Sequence, residues 1–218
     1  MSRKALIEHR PLLAASLLAG IAYYILASEA AESVWLIGLK GAGVGLLALY
    51  ALQRTSAING AILTIALALS AAADMVLVIN FEAGGALFFA SHLLATALYL
   101  RNLRPETTPN QILCTAACVI AVPAIAWGLS LRGDIAAYSS ALGIMAAAAW
   151  LSRFPRYRVG IGALLFVISD WLIFSRMGSI DLAPLPDLLV WPTYYAGQFM
   201  IATGVVQTLA SERREAAQ

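Results

Sequence analysis

Cysteine, histidine and charge are all scarce in this chain. Only Cys114 and Cys118 occur in 218 residues. They stand one helical turn apart without His or acidic neighbours, a pattern that suggests small buried thiols and neither a disulfide nor a metal site. Of the two histidines only His92 falls in an apolar segment, which argues against a histidine-based metal centre. Charged residues make up 12% of the chain. No nucleotide loop, metal cluster or flavin motif is present, so no cofactor is expected. The connections are short and hold no low-complexity tract beyond Ala runs such as Ala146 to Ala149, which leaves no room for an attached soluble domain.

What is abundant is apolar surface. With 61% hydrophobic residues and a mean hydropathy of +0.81, the chain has more of it than a soluble core of this length buries, so lipid must solvate the rest. The expectation is an all-α polytopic membrane protein, residues 1–218 forming one bundle of eight transmembrane helices. The segments run near 11–28, 33–53, 58–79, 84–101, 111–131, 134–152, 158–176 and 187–209, each about long enough to span hydrocarbon. The longest connections, 102–110 and 177–186, hold Pro105, Pro109, Pro184 and Pro186.

The net charge of +2 conceals an asymmetry. One side of such a bundle collects Arg3, Lys4, Arg10, Arg54, Arg101, Arg104, Arg153, Arg156, Arg158, Arg213 and Arg214, the other only Arg132 and Arg176. That second side carries Glu29, Glu32, Glu82, Asp134, Asp181 and Asp187 instead. The positive-inside rule then puts both termini in the cytoplasm, with the basic side facing anionic lipid, and gives no support to nucleic acid as a partner. A bacterial inner (plasma) membrane is the expected location. The first segment also resembles a secretory signal, with Ala27-Ser28-Glu29-Ala30 near a cleavage site, but its apolar run is long for one and a retained helix is the preferred reading.

One pattern occurs twice. Gly84-Gly85-Ala86-Leu87-Phe88-Phe89-Ala90-Ser91-His92 and Gly162-Ala163-Leu164-Leu165-Phe166-Val167-Ile168-Ser169-Asp170 both read G-[GA]-x-x-F-x-x-S-[HD]. Each ends by placing an ionisable group deep in an apolar helix, where charge is costly unless paired, hydrated or used. The copies lie three helices apart and cross the membrane in opposite directions, which suggests an inverted repeat of helices 2–4 against 5–7 with a site between the halves. Gly41 and Gly45 add a GxxxG spacing that permits close helix packing.

The remaining intramembrane polar groups are Lys40, Asp74, Tyr138, Tyr194 and Gln198. Each has a bland reading. Lys40 can snorkel outward, Asp74 can pair helices, His92 can be a neutral core histidine, and Tyr138, Tyr194 and Tyr195 can belong to an interfacial aromatic belt. Asp170, among Phe166, Val167, Trp171 and Ile173, is the hardest to dismiss. By the topology above, Lys40, Asp74, His92, Tyr138, Asp170, Tyr194 and Gln198 all fall in the outer half, where one polar cavity would collect them.

At these residues the chain resembles the lysoplasmalogenases of the YhhN-like group. Phe88-Phe89-Ala90-Ser91-His92-Leu93 matches the family's F-x-x-S-H-L element and Gly162 to Asp170 its G-A-x-x-F-x-x-S-[DN] element. Tyr194-Tyr195-Ala196-Gly197-Gln198 matches its final aromatic and Gln element, and Lys40 and Asp74 agree in place and type. Gly41 stands where the family often has Pro, and Ala73 where it has Gly. The resemblance implies hydrolysis of the vinyl ether bond of a lysophospholipid substrate, a lysoplasmalogen, to a fatty aldehyde and glycerophosphoethanolamine or glycerophosphocholine.

The residues suit that chemistry. A vinyl ether is cleaved by protonating its β-carbon to give an oxocarbenium ion, which water then attacks; this needs an acid, a nearby negative charge and a positioned water. Asp170 in its apolar setting is the expected proton donor, Asp74 the ionised partner and His92 the group that orients or deprotonates water; donor and base can be exchanged. Lys40 would pair with Asp74 or hold the lipid phosphate, and Tyr138, Tyr194 and Gln198 would bind substrate. The alternative function is a small-molecule or lipid carrier with a polar site at the midplane.

Overall fold

The computed structural model describes residues 10–27, 33–55, 57–180 and 182–216. Within them the chain forms eight α-helices: α1 Pro11–Ala27, α2 Val34–Arg54, α3 Ile58–Ile79, α4 Phe81–Leu100, α5 Pro109–Ser130, α6 Gly133–Leu151, α7 Ile161–Ser175 and α8 Leu185–Glu215. A π-helical turn, Arg156–Gly160, leads into α7. No named strand occurs among the described residues; Leu103 and Ser152 make one isolated antiparallel bridge. Helices α2 to α6, and α7 taken with its π turn, are long and apolar enough to cross a bilayer. Helix α1, at 17 residues, is shorter, and α8 extends over 31 residues. Arg3, Lys4, Glu29, Glu32, Asp181 and most of the signal-like cleavage segment lie outside the described residues.

The outward surface is that of a membrane protein. Ile112, Leu113, Val119, Ile120 and Trp127 of α5 are exposed, as are Leu17, Leu18 and Ile25 of α1, apolar faces that water would penalise and lipid accepts. Inside, Val44, Leu47, Leu67, Leu98, Leu142, Phe166 and Val205 form the core. Small residues set the helix spacing. A Cβ on Gly143 would lie 2.6 Å from the Cys118 carbonyl oxygen, so α5 and α6 touch backbone to backbone. Both cysteines are free, Cys118 buried and Cys114 partly so.

Several ends differ from the sequence expectation, for one physical reason. Pro109 and Pro186 are not loop residues. Pro109 opens α5 behind a capping box in which Thr108 and Gln111 satisfy each other's backbone, and Pro186 sits in the first turn of α8. A proline costs nothing there, since its missing N–H is one the first turn leaves unbonded anyway. Helix α4 starts at Phe81 because Asn80 caps it, accepting a hydrogen bond from the Ala83 N–H at 2.9 Å.

Helix α1 is bonded into the bundle. The Ser16 hydroxyl donates to the Gly43 carbonyl of α2 at 2.5 Å and lies 2.8 Å from the Tyr195 hydroxyl of α8, while the Trp191 indole N–H donates to the Gly20 carbonyl at 2.8 Å.

The charge asymmetry is realised as two unlike ends. At the basic end Asn102 is the hub. Its side-chain oxygen accepts from Arg153 at 2.8 and 3.0 Å and from Asn59 at 3.0 Å, and its amide donates to the Leu98 carbonyl at 2.7 Å. Arg153 also pairs with Glu212, and Arg104 donates to the Ser152 carbonyl at 3.1 Å. Four helix ends are thereby tied together. At the acidic end the ion pairs Arg132–Asp134 and Arg176–Asp187 are exposed, and the bundle opens into cavities.

Candidate active site

Each copy of the repeated pattern performs the same local task. In α4, a Cβ on Gly84 would lie 2.6 Å from the Leu77 Cα, so the bare glycine lets α3 approach. In α7, a Cβ on Gly162 would lie 2.8 Å from the Gly197 carbonyl oxygen of α8. The serine then bonds the same neighbour: Ser91 donates to the Ala66 carbonyl of α3 at 2.9 Å, and Ser169 to the Val190 carbonyl of α8 at 3.0 Å. Phe88 and Phe166 meet edge to face, centroids 5.7 Å apart. Glycine for approach, serine for the cross-helix bond and phenylalanine for the shared core leave the last residue, His92 or Asp170, aimed at the centre. The packing is not a plain three-helix repeat, because α4 rests on the helix before it and α7 chiefly on the helix after it.

Three helices converge on Asp170. The Tyr138 hydroxyl of α6 donates to Asp170 Oδ2 at 2.9 Å, and His92 Nε2 of α4 lies 3.0 Å from that hydroxyl. With its one proton on Asp170, the tyrosine oxygen accepts from His92, which requires the Nε2–H tautomer. A linear relay His92–Tyr138–Asp170 results. Asp74 is held separately, its Oδ2 accepting from the Tyr194 hydroxyl at 2.7 Å. The two halves are joined by rings: Phe166 stands 4.9 Å from His92 and 5.1 Å from Tyr194.

Asp74, His92, Asp170, Tyr194 and Gln198 are all buried; Lys40 and Tyr138 are partly so. Tyr194 and Tyr195 therefore point into the protein and are not a lipid-facing belt. Lys40 approaches the Tyr23 ring, 5.9 Å from its centroid, and its charge reaches Asp74, as does that of Asp170. Among the described residues no cation lies within 4.0 Å of either carboxylate. Each acid thus accepts from one neutral phenol, and the two differ in that a cation's field reaches Asp74. Gln198, one turn beyond Tyr194, is within reach of its hydroxyl.

The expected single cavity is instead three hollows around one cluster. Asp170 and Tyr138 line a cavity of about 220 Å³ walled by Phe81, Phe88, Phe89 and Phe174. Lys40 lines a larger one of about 900 Å³ with Arg176, Asp187 and Trp191. His92 and Gln198 border a hollow of about 20 Å³ with Ser91, Tyr99 and Met145, space for about one water. Asp74 and Tyr194 line none of these. The cluster is split because the aromatic rings that buttress it also partition the space.

Sequence reasoning overlooked Tyr99, whose buried hydroxyl has no partner among the described residues, and Ser70, whose hydroxyl lies 2.8 Å from that of Ser91. It also gave no role to Arg132 and Arg176, although their isolation on an otherwise acidic face was the available signal. Among the described residues no group of three His, Cys, Asp or Glu is placed to hold a metal.

Six bilayer-length helices and a buried pair of carboxyls ringed by tyrosines define a polytopic α-helical membrane protein with an enclosed acidic site. The chain belongs to the YhhN family, whose profile matches residues 35–205. No curated protein and no solved structure matches it.

Proposed function

We propose that the protein is a membrane-embedded hydrolase that cleaves the vinyl ether bond of lysoplasmalogens, releasing a fatty aldehyde and glycerophosphoethanolamine or glycerophosphocholine. The observation that carries this reading is the pair of buried carboxyls, each bonded by one tyrosine and only Asp74 within the field of a cation, set in a family whose motifs the sequence shares. Two carboxyls divided in this way suit a reaction that needs a proton first and a stabilised cation next.

Asp170, at the wall of the apolar cavity, gives its proton to the β-carbon of the vinyl ether. The π electrons form the new C–H bond, and positive charge spreads over the α-carbon and ether oxygen. The carboxylate left behind accepts from Tyr138, which in turn accepts from His92, so the relay matches the charge that appears on the acid. Asp74, within the field of Lys40, supplies the negative charge facing the oxocarbenium ion. Water from the small hollow beside His92 adds to the α-carbon and gives a proton to the free Nδ1 of His92, whose Nε2–H in turn returns a proton through Tyr138 to the Asp170 carboxylate. The resulting hemiacetal collapses to aldehyde and the glycerol alcohol.

Incubating the purified protein with a panel of lyso-ether lipids tests this, with aldehyde release followed by mass. One aldehyde per vinyl ether consumed, and none from the saturated ether, is the expected result. Lipid bound but returned intact would overturn hydrolysis and favour a carrier.

We further infer eight spans with both termini in the cytoplasm of a bacterial inner membrane. The gathering of arginine at one end supports this. A C-terminal reporter active only outside the cytoplasm should stay silent; strong activity would reverse the orientation.

A further inference from the structure

Resting on the vinyl ether reading, we propose that one amphiphile spans the two neighbouring cavities of the acidic half, its head-group phosphate between Lys40 and Arg176 and its chain over the Asp170 wall. The cavities share Leu77, Phe81 and Ile173, so they are neighbouring rooms with a common sill. The larger, at about 900 Å³, is within the ~300–1,000 Å³ typical of small-molecule sites. The smaller is lined mainly by aromatic and aliphatic side chains.

Charge decides the orientation. Lys40, Arg132 and Arg176 are the cations of the acidic half. Arg132 is already committed: its Nε and Nη2 reach the two oxygens of Asp134 at 3.1 and 2.5 Å. That bidentate pair is the strongest arrangement available to a guanidinium. Arg176 makes one contact to Asp187, at 2.5 Å, and Lys40 has no carboxylate within 4.0 Å among the described residues. Both open onto the larger cavity. An anion entering there meets two incompletely paired cations, and an ammonium beyond the phosphate meets Asp187.

With the phosphate at Lys40 and the chain beyond the sill, the ether linkage between them crosses near Leu77 and Phe81. Asp170, in the wall of the smaller cavity, then faces the linkage from the chain side, while Asp74 is buried one turn before Leu77 on α3. The arrangement gives specificity a physical basis: the phosphate sets how far the chain reaches toward Asp170.

Binding of saturated ether analogues, which cannot be hydrolysed at a vinyl ether, separates this from the hydrolase reading. The full chain in detergent should bind 1-O-alkyl-lysophosphoethanolamine at least about tenfold tighter than the matching 1-O-alkylglycerol. Arg176→Gln and Lys40→Met should each remove most of that gap while alkylglycerol affinity stays put, and Arg132→Gln should leave it intact. Arg176 is exposed, so its variant remains informative where Lys40→Met folds poorly. Equal affinities in the unaltered protein, a gap that survives Arg176→Gln, or one lost in Arg132→Gln would overturn the proposal. Inorganic phosphate should compete only weakly; blockade at micromolar levels would make this a free-phosphate site and also overturn it. Failure to release aldehyde would instead refute the hydrolase and leave the binding result standing.

Discussion

The two ends of the bundle use similar residues to opposite effect. At the basic end Asn102, Arg153 and Glu212 are satisfied by one another, and a single amide oxygen collects three donors. In the acidic half the polar groups are strung in short chains, His92–Tyr138–Asp170, which borders two of the cavities, and Tyr194–Asp74, which is buried away from them. A closed network fixes helices and has nothing left to offer a ligand. An open one costs stability and leaves donors and acids for substrate. Polarity inside a membrane protein therefore does not mark a site by itself; incomplete pairing beside empty volume does.

The sharpest way to break the comparison is to neutralise the acids. Asp170→Asn and Asp74→Asn should each lower turnover by about 10² or more while leaving thermal stability close to that of the parent, because both carboxyls are isolated from ion pairs. The family's G-A-x-x-F-x-x-S-[DN] element admits Asn at position 170. If Asp170→Asn keeps its aldehyde release and Asp74→Asn is inactive, the roles of the two acids are exchanged.

The opposite outcome is expected from Asn102→Ala. Four hydrogen bonds meet at this buried side chain, and stranding their partners should cost about 1–3 kcal/mol. Unfolding in mixed micelles should show that loss, with kcat of the folded fraction unchanged. A fall in kcat would mean that the basic end is not merely a clamp.

Between these extremes lies Tyr138→Phe. It keeps the ring and removes the link from His92 to Asp170. Aldehyde release should drop about tenfold, near 1.4 kcal/mol, the worth of a hydrogen bond to a charged group. A pH profile should change with it, since the relay supports the anionic form of the donor; an unaltered profile would assign Tyr138 to packing alone.

A change in helix spacing sharpens the role of the repeated pattern. Gly162→Ala puts a methyl 2.8 Å from the Gly197 carbonyl oxygen, so α7 and α8 must separate. A loss of about 1–3 kcal/mol is expected, together with a higher KM as the Asp170 wall shifts. Gly128→Ala, on α5 and away from the cavities, whose Cβ would meet nothing within 4 Å, is the control.

Much of the architecture was legible because lipid imposes long apolar runs, and six of the segments read from them recur as helices long and apolar enough to span a bilayer. Asp74, His92 and Asp170 stood out for the same reason, as exceptions to those runs. What joined them was not legible. Tyr138 reaches His92 and Asp170 from a third helix, and no local pattern in α6 foretells which face of that helix turns inward. The division of one expected cavity into three follows from Phe88 and Phe166, whose places in the repeated pattern were visible but whose meeting across the core was not. Pro109 and Pro186 were misplaced because proline signals a break, while its position in the first turn depends on the cap before it.

The wide turn Arg156–Gly160 ahead of α7 carries an evolutionary consequence. Val159 and Gly160 are buried there, and Gly160 lies flat against the Trp150 ring, where a Cβ would stand 2.4 Å from Cε3. Each residue added to or removed from a helix rotates everything downstream by about 100°. Losing one residue from this turn would tighten it toward an ordinary helix and swing Asp170, Phe166 and Ser169 away from their partners together. Substitutions along α7 can be absorbed one at a time, but a change in the number of residues between Pro155 and Ile161 must be taken up by the turn itself if the helix is to keep its facing side.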